Sequence, residues 1–322
     1  MHIPTKYDIL TIIIRPEEFM TIMTDFQQKM TALLPTLELR MEEPLAKHTS
    51  FRIGGPAEVM AFPKTAEQLC ETLKASALLD CKPAILGAGT NILAPDDGVR
   101  GLVICLKAYM DTMEQTDSTH IRVSAGVSMA RAAVYAANLG LSGLEFAHGI
   151  PGSVGGGVYM NAGAYGGEIC QVCTHVEVMD LKGNLRVLTA EQMKFSYRHS
   201  ILEETGEIVT HITFALTPKP VAQIQATMQE LMSRRRASQP LDLPSAGSAF
   251  KRPVGGYAAA LIDEAELKGY RVGGAAVSEK HAGFVVNMGT ATAEDVKDLL
   301  RQVSDKVFER THIRLQPEIR IW

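Results

Sequence analysis

Apolar residues recur every three or four positions in several segments of the chain, and this spacing predicts amphipathic helices. In the first segment Leu69, Leu73 and Ala77 share one face, and Thr65 can cap the first turn. The second is followed by Gly140, a residue type that commonly ends a helix in the left-handed conformation. The predicted helices are 65–80, 128–139, 221–236 and a helix that begins after Thr292.

Shorter apolar runs bounded by glycine, proline, asparagine or aspartate predict β-strands. Two of them, 176–180 and 185–188, flank Lys182-Gly-Asn184, which predicts a hairpin. The others lie at 83–86, 101–106, 121–125, 208–216 and, interrupted by Pro317, at 313–322. This mixture of helices and strands indicates an α+β protein. Prolines at Thr217-Pro-Lys-Pro220 predict a boundary between a first lobe, up to about residue 218, and a second lobe after it.

Composition and charge mainly exclude classes of binding partner. Charged residues make up 21% of the 322 residues and the formal net charge is −4, which gives no electrostatic reason to expect nucleic acid or a membrane as partner. The apolar run Ile9–Ile14 is too short to span a bilayer and lacks a cleavage site of small residues. We therefore expect a cytoplasmic protein, monomeric or weakly oligomeric.

The five cysteines are irregularly spaced, which indicates free thiols in a reducing compartment. Cys170-Gln-Val-Cys173 is a CxxC, but neither a second pair nor a nearby pair of histidines completes a metal site. No metal is therefore expected.

Glycines are clustered in two segments, and the first is Gly87-Ala-Gly-Thr-Asn91, which follows a predicted strand. Glycine allows close approach to a ligand, and successive N–H groups in such a turn form a concavity that binds anions. A Walker loop would need Gly-Lys-Ser/Thr here, and a dinucleotide fingerprint would need a third glycine. The segment predicts a phosphate site, with a plain tight turn as the alternative.

The second segment, residues 148–168, contains eight glycines together with apolar residues that favour packing. A flexible linker would not carry Ile150, Val154 and Val158. A packed, glycine-rich loop indicates a backbone that lies against a large flat or phosphorylated ligand. Two such segments in one lobe predict a dinucleotide cofactor held without a Rossmann fold.

Three polar residues are candidates for the chemistry. Ser248 in "PSAGSAFKRP" lacks the Gly-x-Ser-x-Gly and Ser-x-x-Lys contexts of nucleophilic serines, so it is better interpreted as a proton donor than as a nucleophile. Arg198 in "FSYRHS" suits a carboxylate or a developing enolate. Glu318 follows a proline in the last strand. The alternatives are a turn serine, a surface cation and a surface carboxylate.

The motifs "FSYRHS", "PSAGSAFKRP" and "LQPEIRIW", preceded by "TSFRIGGPA", "LGAGTNIL" and "GIPGSVGGGVYMNAGAYGGE", closely resemble the UDP-N-acetylenolpyruvoylglucosamine reductase (MurB) family. The resemblance runs from about residue 44 to the C-terminus and implies the shorter subtype, which lacks a tyrosine-bearing insertion. It implies NADPH-dependent, FAD-mediated reduction of the enolpyruvyl ether of UDP-N-acetylglucosamine to UDP-N-acetylmuramate. That reaction serves peptidoglycan synthesis, and through it cell shape and division.

The resemblance also implies an architecture. Residues 1–50 would be an extension and lead-in, and 51–218 a two-lobed FAD-binding domain like that of vanillyl-alcohol oxidases. Residues 219–322 would form a smaller α+β substrate-binding domain whose last strand returns to the active site.

Roles follow from the resemblance residue by residue. Ser248 falls on the proton donor, while Arg198 and Glu318 fall on the residues that stabilise the enolic intermediate. Ala88 stands where glycine is common, and Arg252 where some members have asparagine. The residues implied to bind FAD are Leu86, Gly87, Ala88, Gly89, Thr90, Asn91, Ile92, Leu93, Gly126, Gly149, Ile150, Pro151, Ser153, Val154, Gly157, Asn161 and Gly163. Those implied to bind the substrate are Tyr165, Tyr197, Arg236, Lys251, Arg252 and Asn287.

Two other functions are open at this point. A flavin oxidase of the vanillyl-alcohol type would use oxygen as acceptor, but no His or Cys pattern for flavin attachment is evident. A non-catalytic nucleotide-sugar binder would lack flavin, and the intact Ser248, Arg198 and Glu318 argue against it.

Overall fold

The computed structural model describes residues 23–107 and 111–322, so the predictions for the apolar run Ile9–Ile14 lie outside the described residues. The helices are α1 (Asp25–Leu33), α2 (Ala66–Leu78), α3 (Met129–Asn138), α4 (Val154–Tyr159), α5 (Leu202–Thr205), α6 (Val221–Ser238), α7 (Ala258–Glu264) and α8 (Ala293–Thr311). The strands are β1 (Leu39–Pro44), β2 (Pro56–Ala61), β3 (Ala84–Leu86), β4 (Ile92–Leu93), β5 (Val99–Cys105), β6 (Met113–Gln115), β7 (His120–Ser124), β8 (Leu141–Ser142), β9 (Gly163–Ala164), β10 (Gly167–Glu168), β11 (Cys173–Met179), β12 (Leu185–Thr189), β13 (Ile208–Ala215), β14 (Thr217–Pro218), β15 (Ser245–Ser248), β16 (Arg271–Val272), β17 (Ala275–Val277), β18 (Phe284–Asn287) and β19 (Arg320–Ile321).

The helices predicted from periodicity are confirmed, and local capping explains where they begin. The hydroxyl of Thr65 accepts a hydrogen bond from the N–H of Gln68 at the start of α2. Ser128 caps α3 in the same way, and Gly140 follows that helix with a φ of +69°. Thr292 caps α8 through a capping box with Asp295.

Two sheets build the first part of the chain around a shared core. One has the order β1-β2-β5-β3, and β5 is parallel to both of its neighbours. The other is antiparallel, with the order β12-β11-β13-β7-β6, and contains the predicted hairpin. Alternate residues of β5 point to opposite faces of the first sheet. Leu102 and Ile104 therefore join the core shared with the second sheet, while Val103 and Cys105 join a smaller one.

The C-terminal part has its own antiparallel sheet, ordered β15-β18-β17-β16, with α7 and α8 packed together beside it. Its core also takes in Phe51, Ile53 and Leu93 from the first part. Conversely, α6 contributes Ile224 and Met228 to the core of the first part. The predicted boundary after residue 218 assigns α6 to the second lobe, but this helix packs on the core of the first part. The division into two domains therefore stays a prediction.

The last strand is much shorter than predicted. Arg320–Ile321 pairs in parallel with the two residues of β4, while the preceding residues around Pro317 form an isolated antiparallel bridge with Phe250. This short pair nevertheless brings the C-terminus back beside the first glycine segment. No helix among the described residues is long and apolar enough to cross a bilayer.

Candidate active site

Arg198 and Glu318 are 120 residues apart in sequence but form an ion pair, with Arg198 Nε 3.0 Å from Glu318 Oε1. Arg198 Nη2 also donates to the carbonyl of Gly163 at 3.2 Å. Their side chains are largely buried, at 21% and 11% exposure. Two of the guanidinium nitrogens are therefore committed to the protein, and Nη1 is left without an acceptor among the described residues.

Tyr197 connects this pair to the loop after β15. Its hydroxyl donates to Glu318 Oε2 at 3.1 Å and accepts from the backbone N–H of Arg252 at 3.3 Å. Burial, reinforced by the charge of Glu318, raises the pKa of Tyr197, so the phenol keeps its proton. The Arg252 guanidinium lies 4.4 Å from the centre of the Tyr257 ring, which places a cation at the edge of the same region.

Ser248 is brought to the pair through the backbone. The N–H of Glu318 donates to the carbonyl of Ala249 at 2.9 Å, so Ser248 lies one residue from that contact. Ser248 is exposed at the end of β15, and a side chain at Gly247 would meet open space. Ala249, in contrast, is fully buried in the C-terminal core. The hydroxyl of Ser248 makes no hydrogen bond with a described residue, which suits a group that acts on a ligand.

A cavity of about 260 Å³ borders this arrangement. It is lined by Lys251, Pro317, Glu318, Ile319, Arg320 and Ile321. The predicted substrate residue Lys251 therefore shares a cavity with Glu318.

The first glycine segment has the features of a phosphate cradle. Gly89 has a φ of +65°, and a Cβ there would lie 2.0 Å from the carbonyl oxygen of His48, so only glycine fits. The backbone N–H groups of residues 87–91 donate to no acceptor among the described residues. Free, successive N–H groups beside a left-handed residue can form an anion-binding concavity, so this segment stays the proposed phosphate site.

The second glycine segment faces the first. Thr90 Oγ1 donates to the carbonyl of Pro151 at 3.1 Å, and a Cβ on Gly87 would lie 2.8 Å from Ser153 Oγ. Side chains larger than hydrogen would therefore fill the space between the two segments. These residues fit a diphosphate group lying along both segments, as FAD would supply.

The second segment is not the continuous loop that the sequence predicts, because it contains α4. Ser153 caps this helix by accepting from the N–H of Gly156 at 3.3 Å. A Cβ on Gly155 would lie 2.8 Å from that of Ala125, and one on Gly157 would lie 2.8 Å from the sulfur of Met129. Several of these glycines are therefore required by helix packing rather than by a ligand.

Some residues expected to bind FAD are committed to the protein itself. Val154 is fully buried, and its N–H donates to the carbonyl of Val127 at 2.8 Å. The side chain of Asn161 donates to Glu168 and Ser196 and accepts from the N–H of Cys170. We therefore no longer propose Val154 or Asn161 as side-chain ligands of the cofactor.

The remaining expected FAD residues fall into two groups. Leu86 and Leu93 are buried in cores, so they could contribute backbone only, whereas Ile92 is partly buried and its backbone pairs with Arg320. The others remain predictions: Ala88, Gly126, Gly149 and Ile150.

Asn287 does not reach a substrate either. Its amide donates to the carbonyl of Phe51 at 3.0 Å and accepts from the N–H groups of Gly289 and Ala291 at 2.7 and 3.1 Å. It is 5% exposed. This amide joins the two parts of the chain, and we withdraw it from the proposed substrate site.

On α6 a second arginine, Arg235, packs against the second glycine segment, while the expected role of Arg236 in substrate binding stays a prediction. Arg236 is exposed, whereas Arg235 is 9% exposed and packs against Gly149, with Tyr165 close enough to act on its charge. Burial lowers the pKa of Arg235, and its guanidinium has no hydrogen-bond acceptor among the described residues. The Arg235 side chain is largely buried while its guanidinium makes no hydrogen bond with a described residue, so it is a candidate to hold an anionic group, and sequence reasoning missed it.

The CxxC does not form a reactive centre. Both thiols are free, and burial raises the pKa of Cys173 to about 12, so this thiol stays protonated. Among the described residues no group of His, Cys, Asp and Glu is arranged to hold a metal ion.

A second ion pair lies on the far side of the C-terminal strand. Arg320 Nη1 and Nη2 bind Glu203 Oε1 and Oε2 at 2.5 and 2.7 Å. His199 Nδ1 lies 3.1 Å from the same carboxylate. Arg320, with His199 next, lowers the pKa of Glu203 to about 2.

This lowered pKa predicts a loss of stability in acid. Because the pKa of Glu203 falls from 4.5 to about 2 on folding, its charge stabilises the protein above pH 4.5, and this contribution disappears as the pH falls towards 2. We expect the difference in free energy of unfolding between wild type and Glu203→Gln to shrink over that range, measured by urea unfolding. Glu191→Gln, which changes an exposed carboxylate without an ion pair among the described residues, should follow the wild-type curve.

The paired glycine segments, with a largely buried Arg–Glu pair and a free serine beside them, define an FAD-dependent oxidoreductase. Residues 57–189 match the family model for an FAD binding domain. Residues 239–322 match the model for the C-terminal domain of UDP-N-acetylenolpyruvoylglucosamine reductase. The chain belongs to the UDP-N-acetylenolpyruvoylglucosamine reductase family.

Relatives and a solved structure support this membership. The chain is 45% identical to the reductase of Agathobacter rectalis, over 92% of this chain and 98% of that protein. It is 44% identical to that of Lactococcus lactis subsp. cremoris, over 89% of this chain and 96% of that protein. It also matches the crystal structure of UDP-N-acetylenolpyruvylglucosamine reductase (MurB) from Thermus caldophilus. That match has a TM-score of 0.75 and 36% identity, and covers 89% of this chain and 98% of that one.

Proposed function

We propose that this protein catalyses the NADPH-dependent reduction of the enolpyruvyl ether of UDP-N-acetylglucosamine to UDP-N-acetylmuramate. The observation that carries this proposal is the convergence of Arg198, Glu318 and Ser248 from three distant segments of the chain. FAD, when bound, supplies hydride transfer from NADPH to the vinyl carbon of the substrate. The protein's own residues supply the proton and the charge stabilisation.

Arg198 has the geometry to stabilise negative charge on the substrate. Glu318 and Gly163 hold Nε and Nη2, which orients the guanidinium and leaves Nη1 for the enolate or carboxylate oxygen that gains charge. Such a preorganised donor acts most strongly in a partly buried site. Glu318 orients this guanidinium and, with Tyr197, closes one side of the site.

Ser248 completes the addition across the double bond. Hydride arrives at the terminal CH2 carbon, the electron pair of the C=C bond moves towards the carboxylate, and the hydroxyl proton of Ser248 goes to the adjacent carbon. The resulting alkoxide then regains a proton from solvent, which is possible because Ser248 is exposed. Lys251 and Arg252 follow it closely in sequence and favour the transient negative charge.

Arg235 is the proposed contact for an anionic part of the UDP-sugar. We expect Arg235→Met to raise the KM for the UDP-sugar about 10- to 100-fold, because hydrogen bonds to charged groups contribute about 1.5–3 kcal/mol. Steady-state kinetics at saturating NADPH measures this change. Arg234→Met, which alters an exposed arginine paired with Glu230 on the same helix, is the matched control. An unchanged KM in Arg235→Met would remove this residue from the proposal.

The setting of the reaction is part of the same proposal. We place the protein in the cytoplasm, as a monomer or weak oligomer, where its product would feed peptidoglycan synthesis and thereby cell shape and division. We also keep residues 51–218 and 219–322 as the proposed FAD-binding and substrate-binding domains.

One experiment tests the function. The purified protein should show flavin absorbance, lose it on anaerobic addition of NADPH, and regain it when the UDP-enolpyruvyl sugar is added. Recovery with oxygen but not with the UDP-sugar would indicate a flavin oxidase instead. A colourless protein that binds the UDP-sugar would indicate a non-catalytic binder.

A further inference from the structure

The two members of the catalytic pair each have a sequence neighbour bound to one shared carboxylate. His199, next to Arg198, lies 3.1 Å from Glu203 Oε2. Arg320, two residues after Glu318, holds both oxygens of Glu203 at 2.5 and 2.7 Å. Glu203 thus lies between the backbone segments that carry the pair.

Among the described residues, side chains join the Glu318 strand to the Arg198 segment: Arg198 and Tyr197 bind the Glu318 carboxylate, and Glu203 binds Arg320. The pairing of β19 with β4 extends over two residues only, because β4 itself is two residues long. Arg198 has a φ of +54°, a conformation that non-glycine residues adopt only when their surroundings enforce it. A side-chain contact that spans both segments is therefore well placed to fix their separation.

Asn91 holds the same strand from the opposite side. Its side-chain amide donates to the carbonyl of Glu318 at 3.4 Å, and its own carbonyl accepts from the N–H of Arg320 at 3.0 Å. These contacts fix the position of the strand along β4. Its distance from the Arg198 segment depends on the bonds of Arg198 and Tyr197 to the Glu318 carboxylate and on the ion pair between Arg320 and Glu203, which alone holds the strand beyond Glu318.

We infer that Glu203 is a positioning residue for the reaction: by binding Arg320 and His199 together, its carboxylate sets the distance between Arg198 and Glu318. The inference rests on the proposed function. Glu203 acts through the two segments that it joins and contacts neither partner of the catalytic pair.

The test separates the two half-reactions of the holoenzyme. Glu203→Gln keeps the size of the side chain but removes the charge that holds Arg320. We expect reoxidation of the NADPH-reduced flavin by the UDP-enolpyruvyl sugar to slow about 10- to 100-fold, because a small displacement of a positioned group can cost about 100-fold in rate. Reduction by NADPH and the affinity for FAD should stay at wild-type values.

A matched control exists in the same part of the chain. Arg186 Nε and Nη2 bind Glu207 Oε1 and Oε2 at 2.5 and 2.6 Å, a bidentate ion pair of similar distances that involves neither catalytic segment. Glu207→Gln should leave both half-reactions unchanged. If Glu207→Gln slowed reoxidation as much as Glu203→Gln does, the effect would reflect general destabilisation and the inference would fail.

A double-mutant cycle tests whether Arg320 transmits the effect. Glu203→Gln, Arg320→Gln and the double variant should reoxidise at similar rates, because residues that act as one unit are not additive. Additive losses would overturn the inference.

Trp322 gives a readout that does not depend on catalysis. It is the single tryptophan of the chain, and its backbone N–H donates to the carbonyl of Leu93 beside the same strand. Acrylamide should quench Trp322 fluorescence more strongly in the flavin-free full-length Glu203→Gln protein than in wild type or Glu207→Gln. Equal quenching, or reoxidation at the wild-type rate, would overturn the inference. If the wild-type protein were not reoxidised by the UDP-sugar, the proposed function would fail, and the quenching would still decide whether Glu203 holds the strand.

Discussion

Ser248→Ala is expected to keep FAD bound and reducible by NADPH, but to slow reoxidation by the UDP-enolpyruvyl sugar about 10²–10⁴-fold. This range is typical for loss of a positioned proton donor. The physical reason is that hydride addition leaves a carbanion-like centre that must be protonated, and Ser248 is the free hydroxyl beside the Arg198–Glu318 pair. The measurement is stopped-flow absorbance of the flavin in each half-reaction.

The serine at the start of the same strand is the matched control. Ser245 offers its backbone carbonyl to the hydroxyl of Ser50 at 2.6 Å, and alanine keeps that carbonyl. Ser245→Ala should therefore reoxidise at the wild-type rate. Normal turnover in Ser248→Ala would show that the proton comes from elsewhere. Slow reduction by NADPH in the same variant would show that Ser248 serves the fold or the cofactor instead.

Local features of the sequence predict those parts of the fold that depend on neighbouring residues. Capping by Thr65, Ser128 and Thr292 needs only a side chain and the N–H three residues later, so the start of each helix follows from the sequence. The buried face of a helix is harder to predict. Ala77 is expected on the buried face of α2 but is exposed, and Ser76 is buried instead.

Helix α4 shows why composition can hide an element. Three consecutive glycines argue against a helix, since each one costs about 1 kcal/mol relative to alanine. The helix forms because Ser153 caps it and because Gly155 and Gly157 allow close packing against Ala125 and Met129. That packing joins segments far apart in sequence, and spacing along the chain does not predict it.

The buried position of Arg235 on α6 could have been identified from periodicity. Ile224 and Met228 lie on the buried face of the helix, and a step of seven residues from Met228 leads to Arg235. Arg236 lies about 100° further round the helix, towards solvent. In contrast, the pairing of Arg198 with Glu318 depends on the tertiary fold, and only the family resemblance indicated it beforehand.

The second prediction separates the geometry of the Arg198 guanidinium from its positive charge. Arg198→Lys keeps the positive charge, but one ammonium group cannot reach Glu318, the carbonyl of Gly163 and the substrate at once, as the planar guanidinium can. Lysine tolerates the backbone conformation, since Lys194 has a φ of +45°. Reoxidation by the UDP-sugar should slow about 10²–10³-fold, the cost of losing one preorganised donor to a developing oxyanion.

An arginine-to-lysine substitution at Arg186, away from the site, controls for the change of side chain. Arg186→Lys alters a guanidinium that binds Glu207 through two nitrogens and should leave both half-reactions unchanged. Reoxidation should also be slow in Glu318→Gln, because the neutral amide orients Arg198 less firmly. The double variant Arg198→Lys/Glu318→Gln should be reoxidised little more slowly than the slower single variant. Reoxidation of Arg198→Lys at the wild-type rate would mean that charge alone suffices. The guanidinium geometry on which the proposed function depends would then have no catalytic role.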